Sequence, residues 1–310
     1  MEDLLRQRLA GQRGVLTSGD ARQVGLSSRA IATLVSRGTL VRVARSTYVD
    51  GSLHRDGSPE QRHALTARAL QRAHPTWLVS HYSALTVLGV PVYAVDLGRH
   101  HLQRSHAGQS RRGALVSVHG PVAGPRWRSG TTLTVSPAAA IIGTALVAGA
   151  EAAVVSADAA IRQGLTTPQD LAEQLARVAT RPGRAVARRV LRLVDGLAES
   201  PGESRTRLLL VAVGYQVASQ VEVRDAHGVL VGRADFQIKG TRVLVEFDGL
   251  VKYGGIHGRE ALAREKRRED ALRALGYEVV RLVWADLADP ARVVRLVEAA
   301  ISRSRSAVRR

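Results

Sequence analysis

Five residues in the C-terminal third have the types and spacing for phosphodiester chemistry: Glu203, Asp235, Glu246, Asp248 and Lys252. Three of them sit in the stretch ADFQIKGTRVLVEFDG, residues 234–249. It reads as two β-branched runs around a Lys239-Gly240 turn, and strands ordinarily avoid carboxylates. Side chains alternate faces along a strand. Val243, Val245 and Phe247 therefore share one face, and Arg242, Leu244, Glu246 and Asp248 the other. Arg233, Asp235 and Gln237 share a face of the preceding run. An even-length loop centred on Lys239-Gly240 pairs Asp235 with Leu244 and leaves Glu246 on its diagonal, about 7–8 Å away. Two carboxylates so spaced suit a hard cation, Mg²⁺ or Mn²⁺, which takes one or two carboxylates and completes its shell with water and phosphate. A competing reading is a salt-bridged face, because the same register puts Arg233 opposite Glu246 with Arg242 nearby.

The other candidates also carry two readings each. SPGE, residues 200–203, has the pattern of a helix start, with Ser200 as cap, Pro201 at the first position and Glu203 at the third. That explains Glu203 structurally, and it also leaves a third carboxylate beside the sheet. Lys252, one of only three lysines, is either an ordinary surface residue or a group that orients water and steadies a pentavalent phosphate. In EKRRED, Lys266, Arg267 and Arg268 either neutralise phosphate or pair with Glu265, Glu269 and Asp270 at helical spacing.

The elements that must position these groups form an α/β unit over residues 199–302, in the order helix, three strands, helix, strand, helix. Residues 1–58 read as a winged helix-turn-helix. Thr17 or Ser18 caps one short helix, and Ser27 or Ser28 caps the next, which stops at Gly38. Ile31, Leu34 and Val35 fall on one face of that third helix, and Arg29, Ala32, Thr33, Ser36 and Arg37 on the other. An alternating hairpin, TLVRVARSTYVDG, follows as the wing. The exposed face and wing make Ser28, Arg29, Thr33, Arg37, Arg42 and Arg45 the expected nucleic-acid contacts. Residues 59–198 form a mixed, mainly helical middle section. Residues 303–310, an Arg/Ser-rich tail, are expected to be disordered.

Charge points the same way. The 310 residues carry a formal net charge of +18, nearly all from arginine, which favours a polyanionic partner. Leu97 to Ala150 contains no acid at all but holds Arg99, Arg104, Arg111, Arg112, Arg126 and Arg128. Such a stretch suits a phosphate backbone. Its histidines, His100, His101, His106 and His119, lack metal-site spacing and read as surface residues. The absence of cysteine excludes disulfides, thiolate metal sites and cysteine nucleophiles. The charged N-terminus is unlike a signal peptide, and the apolar run near residue 145 is interrupted by Gly143, Gly149 and Glu151. A cytoplasmic protein without membrane attachment is expected. Aromatic residues, at 4%, are too few for an RNA-stacking platform.

The stretch GRADFQIKGTRVLVEFDGLVKY, with EKRREDALRALGYEVVRLVWADL, resembles the very-short-patch-repair-like endonuclease-related domains of the PD-(D/E)XK superfamily. GVLTSGDARQVGLSSRAIATLVSRGTLVRVARSTYV resembles the winged helix of abortive-infection type IV antitoxins. The likeness implies a restriction-endonuclease-like C-terminal fold. It makes Asp235 and Glu246 the metal-holding motif carboxylates and Glu203 the helix carboxylate. Asp248 stands where that motif has its lysine, with Lys252 as the candidate substitute. The middle section departs from such proteins at TVSPAAAIIG. The leading expectation is a DNA-binding, Mg²⁺-dependent endonuclease of phage defence or repair. The alternative is a non-catalytic, antitoxin-like transcriptional regulator with DNA, and a cognate toxin, as partners.

Overall fold

The computed structural model describes residues 2–178, 182–249 and 256–308. Lys252 lies outside the described residues. The chain divides into two compact units, Met1–Val194 and Asp195–Arg310.

The first unit opens with α1 (Glu2–Gly11), β1 (Val15–Thr17), α2 (Ser18–Gln23), α3 (Ser28–Ser36), β2 (Leu40–Ala44) and β3 (Thr47–Asp50). The strands form an antiparallel sheet in the order β1-β3-β2. Local chemistry sets the helix starts. Thr17 and Asp20 form a reciprocal capping box on α2, and Ser27 accepts the Ala30 N–H at the start of α3. Ile31 is buried against Leu5, Leu9, Leu16, Ala21, Leu26 and Leu40, with Leu34 and Val35 packed on that core. The opposite face of α3 is exposed. Where the wing leaves the sheet, a Cβ on Gly51 would sit 1.9 Å from the Gly38 carbonyl oxygen. Glycine is therefore the residue that lets β3 close against the end of α3.

The unit continues through α4 (Gly51–Asp56), α5 (Pro59–Ala73), β4 (Trp77–Val79), α6 (His81–Val87), β5 (His100–Arg104), β6 (Arg111–Arg112), β7 (Val116–His119), β8 (Arg126–Ser129), β9 (Thr132–Val135), α7 (Pro137–Arg162), α8 (Pro168–Arg177) and α9 (Arg184–Leu193). The section is mixed and mainly helical, as its sequence suggests. It contains a six-stranded mixed sheet in the order β6-β7-β5-β4-β9-β8. Its strands run two to five residues, too short for the alternation that identifies a strand in sequence. The arginines of the acid-free stretch fall partly on the sheet margins. Arg111 and Arg112 form one edge strand, Arg126 and Arg128 lie on the other, and all four are exposed. Charged edges resist unwanted strand addition. Helix α7 is broken at Gly149 (φ 91°, ψ 174°) and buries Ile141, Ile142, Val154 and Val155. It is long and apolar enough to cross a membrane by composition, but here it is the buried centre of the unit, packed against α6, α8 and α9.

The second unit comprises α10 (Pro201–Ala212), β10 (Val217–Arg224), β11 (Leu230–Ile238), β12 (Val243–Phe247), α11 (Ile256–Ala274), β13 (Glu278–Leu282) and α12 (Pro290–Val308). Strands β10, β11 and β12 are antiparallel neighbours, and β13 adds parallel to β12. One face of the sheet buries Phe236, Ile238, Val243 and Val245 with Leu210 of α10 and Val293 and Val297 of α12. The other packs Leu244 and Val223 with Leu272 of α11. The tail expected to be disordered is helical through Val308. Ile301 and Ser304 are buried, and the Arg303 guanidinium donates to Glu278 at 2.8 Å. Apolar spacing among arginines and serines is enough once a sheet offers a surface to cover.

One buried charge ties the first unit together. Asp20 is 4% exposed. Its carboxylate accepts from Thr17 N–H and Oγ1, from Gln12, from Arg8 at 3.0 Å and from Arg72 at 2.6 Å. Burial pushes its pKa up, but the bonds to Arg72, Thr17 and Gln12 outweigh that and hold it well below the usual carboxylate range. The stability it contributes is therefore present above the unfolded-state value of 3.8 and is lost as pH falls below it. Asp20→Ala is expected to cost about 2–4 kcal/mol at pH 7, less than a fully buried pair because Arg8 and Arg72 reach water. Thermal or urea unfolding should show that deficit shrinking below pH 4. An unchanged midpoint at pH 7 would refute the assignment.

Candidate nucleic-acid interface and carboxylate site

In the first unit, Ser28, Arg29, Thr33 and Arg37 line the exposed face of α3, and Arg42 and Arg45 are exposed on the wing. Arg45 and Ser46 form the two-residue tip between β2 and β3, with Ser46 at φ 58°. Arg29 sits in the first turn of α3, the part of a recognition helix that meets base edges in helix-turn-helix proteins. The Thr33 hydroxyl donates back to the Arg29 carbonyl at 3.1 Å. The core side of α3 is held by Ile31, and the C-terminal end by the Arg55 guanidinium, which donates to the Gly38 carbonyl at 2.7 Å. The surface therefore presents several arginines on a backbone anchored from behind. It can make bidentate contacts to guanine edges or to phosphates.

In the second unit, the hairpin register pairs Phe236 with Val245 and Gln237 with Leu244. Continued by one residue, it sets Asp235 directly opposite Glu246. The expected pairing of Asp235 with Leu244 is two residues off. The loop is even in length, but it spans Lys239 to Arg242, centred one residue later than the sequence suggests. The Thr241 hydroxyl donates to the Ile238 carbonyl and accepts the Val243 N–H, which places the turn there. Because the shift is even, the two carboxylates still share a face of the hairpin.

Asp235 accepts the Phe247 N–H at 2.8 Å. Burial, aided by the neighbouring charges of Glu203, Glu246 and Glu199, outweighs that bond and raises its pKa to about 6. Glu203 is buried at the start of α10. It accepts from the Ser200 hydroxyl and the Glu199 N–H, both at 2.8 Å, and from the Gln220 amide at 3.0 Å. The helix-start role is thus real, and the same carboxylate also bears on Asp235. Asp248 is half-buried at the end of β12, and its N–H donates to the Leu282 carbonyl at 2.8 Å. Arg233 does not reach Glu246; it pairs with Glu199 at 2.8 Å. Glu246 is instead gripped by Arg268 of α11 at 2.8 and 3.0 Å and approached by Arg281 of β13 at 3.5 Å. Arg268 also binds Glu265 at 2.6 Å, one of the pairings that EKRRED spacing allows. Arg281 is a partner that sequence spacing does not reveal, because it arrives from the parallel neighbour β13.

The histidines expected on the surface are a further correction. His106 is exposed, but His100 and His101 are 8% and 3% exposed and face the interior. Burial lowers both pKa values to about 3, with neighbouring histidines adding to the effect. Linear spacing hid the cluster because His100 and His101 lie on β5 and His119 on β7, and His63 of α5 and His81 of α6 join them.

The chain is 27% identical over 193 residues to two proteins of Mycobacterium tuberculosis. These are "Uncharacterized protein MT2308" of strain CDC 1551 / Oshkosh and "Uncharacterized protein Rv2248" of strain ATCC 25618 / H37Rv, and the match covers 62% of this chain and 70% of each relative. Residues 3–49, the segment that builds α1 to β3 and carries the exposed arginine face, match the family described as "Transcriptional regulator, AbiEi antitoxin".

Proposed function

We propose that this chain is a DNA-binding transcriptional regulator of the antitoxin kind. It sets α3 in a major groove and the β2–β3 wing on the adjacent backbone, and it acts in the cytoplasm. The exposed row Ser28, Arg29, Thr33 and Arg37 on a core-anchored α3 carries this reading, and the family match over residues 3–49 supports it. The net charge of +18 adds a sequence-independent pull toward the duplex. A toxin protein as a second partner is part of the same proposal. The test is anisotropy titration with duplexes tiled across the promoter region of the protein's own gene. Arg29→Ala and Arg37→Ala are expected to weaken the preferred duplex by about 1–3 kcal/mol each and relax its specificity. Arg42→Ala and Arg45→Ala should weaken all duplexes alike and lower the salt slope by about 1. Binding indifferent to both sets would refute the assignment of this face.

A second reading concerns Asp235, whose pKa sits near 6 among three other carboxylates. Crowded, partly buried carboxylate oxygens on adjacent strands are the donor set Mg²⁺ or Mn²⁺ accepts, and such an ion would supply a Lewis acid for phosphodiester hydrolysis. In this reading Asp235 and Glu246 hold the cation, Glu203 and Asp248 assist, and Lys252 faces phosphate. Arg268 opposes it by already neutralising Glu246.

The two readings of the hairpin separate on stability. A carboxyl whose folded pKa is raised is penalised above its ordinary value of 3.8. Asp235→Asn is therefore expected to stabilise the protein at pH 7 by about 1–2 kcal/mol, discounted for partial exposure, and to make no difference below pH 4. If a cation binds there, Mg²⁺ or Mn²⁺ should raise the melting temperature of wild type but not of Asp235→Asn. Wild type should then cut labelled DNA, and Asp235→Asn and Glu246→Gln should not. No thermal shift and no cutting would leave the hairpin as an arginine-clamped structural face.

A further inference from the structure

His81, His101 and His119 come from α6, β5 and β7, and one ring nitrogen from each lies within 4.8 Å of the others. They are not part of the DNA-facing surface or the carboxylate hairpin. We propose that these three side chains bind a divalent transition-metal ion of the Zn²⁺ class.

The protonation pattern favours ligation. Tyr82 has one hydroxyl proton and donates it to the Asp96 carbonyl at 2.9 Å. The His101 Nε2, 2.9 Å from the same oxygen, must therefore be the donor in that contact. Neutral His101 then carries its lone pair on Nδ1, the atom 2.8 Å from His119 Nε2. Neutral imidazoles with oriented lone pairs are what a metal needs, and a hydrogen-bond acceptor on the second ring nitrogen fixes the tautomer and orientation as outer partners of metal-bound histidines do. Tetrahedral Zn²⁺ with Zn–N near 2.0–2.1 Å needs nitrogens about 3.3 Å apart, within small ring rotations of the spacing here.

The backbone is arranged around the same point. His81 is at φ 53°, a left-handed conformation that costs a side-chain-bearing residue about 1 kcal/mol or more. Its Nδ1 lies 2.9 Å from the Ser80 hydroxyl. A Cβ on Gly143 of α7 would stand 3.0 Å from the His81 ring. Glycine there leaves the imidazole its place, and the ring stacks on His119 at 3.9 Å between centroids. No carboxylate belongs to the triad, so an oxygen-seeking cation such as Mg²⁺ is disfavoured and imidazole-preferring ions are favoured. His101 and His119 line a cavity of about 650 Å³ that also exposes Arg99, Arg111 and Arg112. With two of the three ligands on this cavity the site is open toward it, and the arginines favour an anion as the fourth ligand.

The test uses full-length, tag-free protein stripped with chelator, loaded with Zn²⁺ and assayed for metal after gel filtration, with Co²⁺ as an optical probe. About one Zn²⁺ per chain and a tetrahedral Co²⁺ spectrum are expected. His119→Ala, or His119→Gln if the alanine variant fails to fold, should weaken Zn²⁺ binding by more than about 100-fold, and Tyr82→Phe by about 10–100-fold. His106→Ala, at an exposed histidine outside the triad, should change nothing. No stoichiometric metal on folded wild type, or binding that survives loss of His119 in a variant with native circular dichroism, would overturn the proposal.

Discussion

The buried carboxylate of Asp20 is the constraint on which the first part of the molecule, with its exposed arginine face, depends. An isolated charge in that interior would cost several kcal/mol and would simply take up a proton. It stays ionised because α1 contributes Arg8 and Gln12, the turn into α2 contributes Thr17, and α5 contributes Arg72. Each donor must be in place for the charge to be tolerated. The charge therefore selects one relative placement of three helices. That placement in turn seats the core under α3, so the exposed arginines are aimed by a residue that is itself buried.

The second unit handles its carboxylates differently. Asp235, Glu246 and Glu203 are brought near one another without a fixed cation for each. Asp235 answers by moving its pKa to about 6, whereas Glu246 answers with Arg268 and Arg281. Electrostatics alone would let a divalent cation relieve the first and compete with the second. The outcome rests on the difference between two close interactions rather than on whether acidic residues are present. The same ambiguity attends Glu203. Its bonds to Ser200 and Glu199 serve the helix start and Gln220 adds a third partner, yet its charge is still felt at Asp235.

The arginine excess also has two physical roles. On β6 and β8 exposed arginines mark both edges of a sheet whose short strands would otherwise invite pairing. On α3 and the wing they face outward from a supported backbone. A uniform basic composition thus resolves into edge protection in one place and a contact surface in another.

Local chemistry in the sequence by itself determined the capped helix starts, because Thr17 with Asp20, Ser58 with Gln61 and Thr167 with Asp170 complete their boxes within three residues. It also determined the faces of α3 and the shared face of Asp235 and Glu246, since periods of 3.6 and 2 need no distant partner. The hairpin turn carries a local signal of its own, the Thr241 hydroxyl bonded to Ile238 and Val243, which centres the loop one residue later; tertiary structure alone decided the rest. It decided which cation meets Glu246, because Arg268 and Arg281 approach from a helix and a parallel strand. It gathered His81, His101 and His119, which are 20 and 18 positions apart, through the pairing of β5 with β7 and the docking of α6. It also turned an Arg/Ser tail into the end of α12, because Ile301 and Ser304 found a surface to bury. Such outcomes depend on contacts across the fold, and no local pattern of residues encodes them.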